Sequence, residues 1–215
     1  MENLNLILFI CLLIPMSMML LIFKGHSRML CVFLLAGMFM CVLSGEINGL
    51  LANLGQLDMQ TVAMDIAPLV EELAKALPVV FVAFLLHPSR QKLAECALAI
   101  GVGFATLENV CVLIDAGSIS FGYALLRAIG AGMMHGICTL IVGLAMSAVI
   151  TRKTVFFSGT MAALSIAVIY HSIYNMMISS RYLVIGSLLP LITFAVIVTA
   201  SAIGNKKRLA NAKKS

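Results

Sequence analysis

IAPLVEELAKALPVVFVAFLL, residues 66–86, is the stretch on which the fold turns. It is as long as a helix needs to be to cross a hydrocarbon core of roughly 30 Å at about 1.5 Å per residue. Yet it carries Glu71, Glu72 and Lys75 in its first half. Its surroundings decide how to read it. The chain is 62% hydrophobic and 11% charged over 215 residues, with a mean hydropathy of +1.10. An ordinary soluble domain holds about 25% charged residues. No single soluble core absorbs so much apolar surface, so the solvent of this fold is lipid.

Breaks at charges, Pro, Gly and polar clusters divide the chain into seven expected spans: 4–23, 29–51, 66–86, 94–114, 122–150, 155–178 and 182–203. The fold class expected is all-α, a polytopic transmembrane helical bundle. No repeat or soluble linker is visible, so residues 1–215 read as one integral membrane domain. Its core would be 66–178, with peripheral spans in 1–51 and 182–203 and a basic tail at 204–215. The first apolar block follows Met1-Glu2-Asn3 without a basic residue, which reads as a retained span rather than a signal peptide. Cys11, Cys31, Cys41, Cys96, Cys111 and Cys138 form no CxxC pair and read as packing residues within spans.

Cytoplasmic loops retain Lys and Arg. Lys24, Arg28, Arg90, Lys92, Arg152 and Lys153 share one side with the tail cations if the N-terminus is outside. The loops expected opposite, 52–65, 115–121 and 179–181, hold only Arg181 among the cations. This partition accounts for the net charge of +5 without nucleic acid; the tail would face anionic headgroups.

A charge inside the bilayer is expensive and marks a functional site by default. Glu46, Glu71, Glu72, Lys75, Glu108, Arg127, His135 and His171 all fall in spans, with Asn48, Asn109 and Asn175. Counting along each span puts Glu71, Glu72, Glu108 and His171 at a similar depth in the outer half, and His135 deeper, roughly 20 Å from the start of its span. Helical phase places Glu71 four residues from Lys75 and Glu72 three, so one cation can serve either carboxylate. The row Ala124, Ala128, Gly132 and Gly136 is a small-residue face that lets helices approach closely.

At these residues the chain resembles the PrsW family of intramembrane proteases, grouped with CAAX prenyl endopeptidases and bacteriocin-processing or immunity proteins in a glutamate-dependent superfamily. The resemblance rests on APLVEELAK at 67–75, GFATLEN at 103–109, His135 in MMHGICTLIVG and HSIYN at 171–175. It implies hydrolysis of a peptide bond in a membrane-anchored protein near the outer leaflet, with a single-span anti-sigma factor cut at its first site as the typical substrate. Glu71 would be the general base, and Glu72 and Lys75 would fix its position and charge. Glu108 stands where the prenyl endopeptidases have His, so its role is the least defined. His135 would complete the water-activating side, and His171 and Asn175 would steady the oxyanion; Asn109 and Arg127 are supporting candidates. The location implied is a bacterial cell membrane.

Independently of any family, amide hydrolysis needs an activated water, a proton donor for the amine and donors aimed at the oxyanion. Those residue types supply them. Glu71, Glu108, His135 and His171 could instead hold zinc. Nothing matches HExxH, so the preferred reading is metal-free, with zinc the alternative. Two rival functions use the same residues: a small proton-coupled transporter, and a non-catalytic peptide-binding or immunity protein. Glu46 and Asn48 read as helix-end residues, Arg127 equally as a snorkelling cation, and His26 and His87 as exposed loop residues.

Overall fold

The computed structural model describes residues 4–117, 120–150 and 152–212, and within these it is entirely helical. Seven principal helices follow in order: α1 (Leu4–Ile22), α2 (Gly25–Gly55), α3 (Ala67–Phe81), α4 (Arg90–Asp115), α5 (Phe121–Val149), α6 (Lys153–Ile178) and α7 (Leu183–Ala212). The expectations on Met1-Glu2-Asn3, on 213–215, and on the side chains of Lys153 and 204–212 lie outside what is described. By length and composition, α2, α4, α5 and most of α6 are able to cross a membrane; α1 and α7 hold the shorter apolar stretches Phe9–Ile22 and Leu183–Thr199.

The third span is where sequence punctuation and structure differ most. Residues 52–65 do not form a loop: α2 runs on to Gly55, and Asp58 starts a new helical turn, Met59–Thr61. The Asp58 carboxylate accepts from the Gln60 and Thr61 amides and the Thr61 hydroxyl, which satisfies helix-start donors that would otherwise be orphaned. These bonds, the Thr61 hydroxyl first, hold the exposed Asp58 carboxyl below the usual carboxylate range. The helix then passes through a π turn, Val62–Ile66, into α3, and through a second, Val82–Leu86, out of it. Pro68 and Pro78 lack the amide an α-helix requires, and π turns accommodate such interruptions without ending the helix.

The main core joins Phe33 of α2, Val79 of α3, Ile100 of α4, Met134 and Val142 of α5, and Ala167 and Tyr174 of α6. A smaller cluster of Phe9, Leu35, Met38 and Leu107 ties α1 to α2 and α4. Large apolar side chains such as Leu21, Phe157, Ile166 and Ile192 point outward, while Lys75 is wholly buried. A molecule with its apolar side chains outside and its charges inside is ordered for lipid.

Glycine sets the spacing where α2, α4 and α5 cross. A Cβ at Gly37 would strike the Ile100 carbonyl, one at Gly103 the Leu34 carbonyl, and one at Gly101 the His135 carbonyl. The row expected to do this on α5 does so only in part. Gly132 has open space beside it, and Ala128, Gly132 and Gly136 line a flank groove of about 550 Å³ between α4, α5 and Phe194 of α7. Gly136 still takes part in the α4 crossing together with His135, because a Cβ at Gly101 would strike the Gly136 Cα as well as the His135 carbonyl.

Candidate active site

The third span supplies three adjacent functions through helical phase alone. Lys75, one turn beyond Glu72, donates from Nζ to Glu72 Oε1 at 2.6 Å with both side chains at most 1% exposed. Its second bond, at 2.8 Å, reaches His135 Nδ1 on α5. An ammonium only donates, so Nδ1 is the acceptor and the proton of neutral His135 sits on Nε2. That nitrogen meets Glu108 Oε2 of α4 at 2.7 Å. Arg127 donates to the other oxygen of Glu108 at 3.1 Å. On the far side, His171 Nδ1 of α6 donates to the same Glu72 oxygen at 2.8 Å. One network therefore runs Arg127, Glu108, His135, Lys75, Glu72, His171 across four helices.

Two cations match two carboxylates in that network, and Glu71 is left over. No hydrogen bond reaches Glu71 Oε2 among the described residues. Its nearest basic neighbour is His171 Nε2, 3.8 Å away, beyond hydrogen-bond length and suited to two groups sharing one water. Glu71 also walls a cavity of about 110 Å³ with Cys41, Val42, Ser44 and Gly45 of α2, and with Phe104, Leu107, Glu108 and Cys111 of α4.

Glu71, Glu72, Lys75, Glu108, Arg127, His135 and His171 thus meet around one point. His135 is not deeper than the rest: α5 begins far enough before the site to bring it level with Glu108. Arg127 turns inward to Glu108 rather than out to headgroups. Asn175 stands one step away, its amide donating to the Ala63 carbonyl in the π turn before α3 at 3.2 Å. Asn109 lines the flank groove. Of the residues set aside in sequence, Glu46 is exposed and Asn48 buried; His26 lies 3.7 Å from Glu95, and His87 is exposed.

Sequence reasoning passed over Phe104 and the α2 wall. The Phe104 ring lies 4.8 Å from Lys75 Nζ and 5.0 Å from the His135 ring, a cation–π and stacking support for both. Its place one turn before Glu108 was the available signal. For α2, the signal was the Ser44-Gly45 step inside an apolar run.

Ligand atoms of Glu71, His135 and His171 lie within 4.8 Å of one another. One carboxylate and two imidazoles suit a divalent ion such as zinc. The unpartnered Glu71 Oε2 and a His171 whose Nδ1 is anchored to a carboxylate, leaving Nε2 to ligate, fit that use. Glu108 is committed to His135 and Arg127.

The family model for PrsW family intramembrane metalloproteases matches residues 25–201. No curated protein matches the chain, and no solved structure does.

Proposed function

The chain belongs to the PrsW family of intramembrane metalloproteases, and from that premise we propose that it cuts a peptide bond of a membrane-anchored protein near the outer leaflet, an anti-sigma factor being the substrate the family resemblance suggests. The observation that carries this reading is the excess carboxylate. Glu71 has no cation of its own, faces a cavity and stands 3.8 Å from an imidazole.

In the proposed reaction Glu71 takes the proton of a water held between it and His171. The oxygen adds to the carbonyl carbon, and the proton passes to the departing amine. His171 is oriented by Glu72, as a base or donor must be if it is to act from one fixed direction. His171 Nε2 would receive the water's proton from Glu71, donate it to the oxyanion and then release it to the amine, and Asn175 would add a second donor by releasing Ala63. Lys75 and Glu108 hold His135 in one tautomer beside the reacting atoms. A divalent metal held by Glu71, His171 and His135 would supply Lewis-acid polarisation of the water; His135 would have to exchange its bond to Glu108 to join the set.

The proposed topology puts the N-terminus outside and the basic tail in the cytoplasm, with 66–178 as the working core of one membrane domain. A closed helix hides its carbonyls from attack, so the substrate must present an unwound segment. The test is cleavage in proteoliposomes: wild type should cut a single-span substrate, and Glu71→Gln should lower kcat by about 10²–10⁴-fold, the range of a general acid–base contribution. Proton flux driven by a pH gradient, with no cleavage, would instead establish a carrier.

A further inference from the structure

We propose that the cavity between α2 and α4 is a specificity subsite that receives the side chain of one residue flanking the scissile bond and admits nothing much larger than valine. The inference rests on the protease reading above and deepens it. Glu71 is part of the cavity lining, so a carbonyl placed for attack by a Glu71-activated water brings its own or its neighbour's side chain close to this cavity. Its volume is about 110 Å³. An apolar cavity of roughly 150 Å³ is what benzene occupies, so the rings of Phe, Tyr and Trp do not fit. Ala, Ser, Cys, Thr and Val do.

The walls make the same selection. Phe104 and Leu107 close one side with rigid apolar bulk, and both are buried. Ser44 is tied in place by its hydroxyl, which donates to the Cys41 carbonyl at 3.0 Å. Gly37 and Gly103 hold α2 and α4 in backbone contact, so the walls cannot spread without breaking the crossing. Glu71 and Glu108 in the lining add like-charge exclusion of Asp and Glu. Cys41 of α2 and Cys111 of α4 both line the cavity, so a change in the size of either side chain changes the space it offers.

The test uses the full-length protein in liposomes of phosphatidylcholine and phosphatidylglycerol with a library of single-span peptides. Each peptide carries a Gly-Pro-broken outer segment in which every residue type visits every position, and cuts are mapped by mass spectrometry. One flanking position should prefer Gly, Ala, Ser, Cys, Thr and Val over Phe, Tyr and Trp by at least about tenfold, within the range one pocket achieves. Cys111→Ala should open that position to Leu and Met. Methyl methanethiosulfonate, which adds a methylthio group to a thiol of the already folded protein, should narrow it to Gly, Ala and Ser. The Cys41→Ala/Cys111→Ala double variant should not respond to the reagent. Aromatic side chains accepted at both flanking positions would overturn the proposal, as would a size preference unmoved by both Cys111→Ala and methylthiolation. If wild type cuts no more peptide than Glu71→Gln, the protease reading itself falls and the subsite with it.

Discussion

Glu71 and Glu72 are chain neighbours at nearly the same depth, yet they belong to two differently built regions. Glu72 faces the closed side, where Lys75 of its own helix and His171 of α6 both bond its Oε1. Glu71, about 100° round the helix from it, lines the cavity against α2 and approaches His171 only to 3.8 Å, with no lysine or arginine bonded to it among the described residues. The closed side is a matched set of charges that holds four helices in register. The open side keeps one carboxylate out of that set. The contrast teaches that a single step along one helix can separate a carboxylate fixed by its partners from one left without them.

The sharpest way to break the comparison is to measure stability on both sides. Lys75→Met strands the Glu72 carboxylate in the core, and removing one partner of a buried pair costs about 3–5 kcal/mol. Thermal unfolding of the detergent-solubilised protein should show that loss, and Glu72→Gln combined with Lys75→Met should recover part of it. Glu71→Gln should leave stability unchanged or raised, because it removes a charge that no cation matches. Equal destabilisation by Glu71→Gln and Lys75→Met would erase the distinction between the two regions.

A second measurement sharpens the boundary between them. Gly103→Ala drives a Cβ into the Leu34 carbonyl, and overpacking of this kind costs about 1–3 kcal/mol. Because α2 and α4 are the cavity walls, turnover should fall while the closed network keeps its bonds. The pH profile of residual cleavage should therefore keep its shape, and a shifted profile would mean that the two regions are not independent.

Asn175→Ala distinguishes anchoring from catalysis. Losing only the bond to the Ala63 carbonyl costs about 0.5–1.5 kcal/mol of stability, with kcat nearly intact. A further drop of about 10²-fold or more in kcat would show the amide acting on the oxyanion.

The smallest effect belongs to the entry of α3. Asp58→Ala removes the cap of Met59–Thr61 and should lower the melting temperature slightly. Since the folded Asp58 carboxyl lies below its usual range, the wild-type advantage is complete above the ordinary carboxylate pKa. It disappears as pH falls through the lowered folded value. A melting-temperature difference that grows on acidification would contradict this cap.

Much of this could be read along the chain because lipid imposes simple rules. Apolar blocks must be helices, and ionisable residues inside them must meet one another. Those rules place the helices to within a few residues outside the third span and the end of α7, which continues as helix from the expected 203 into the basic tail as far as Ala212; Glu71, Glu72, Glu108 and His171 converge as their similar depth requires, and His135, expected deeper, joins them. Asp58 misled because a polar residue that caps a helix has the same local composition as one that ends it. Gly132 misled because a small face permits close approach without requiring it at every position, whereas Gly136 does meet α4.

By itself the sequence determined that this chain is a helical membrane protein carrying the charged blocks of the PrsW family, since hydropathy and motif spacing are properties of the chain alone. Only the tertiary structure decided which carboxylate Lys75 would neutralise, that His135 would take its proton on Nε2, and that α2 would wall the cavity. Those outcomes depend on angles and distances between helices far apart in sequence. A spacing of three or four residues fits both choices for Lys75, and the packing of α4, α5 and α6 selects one.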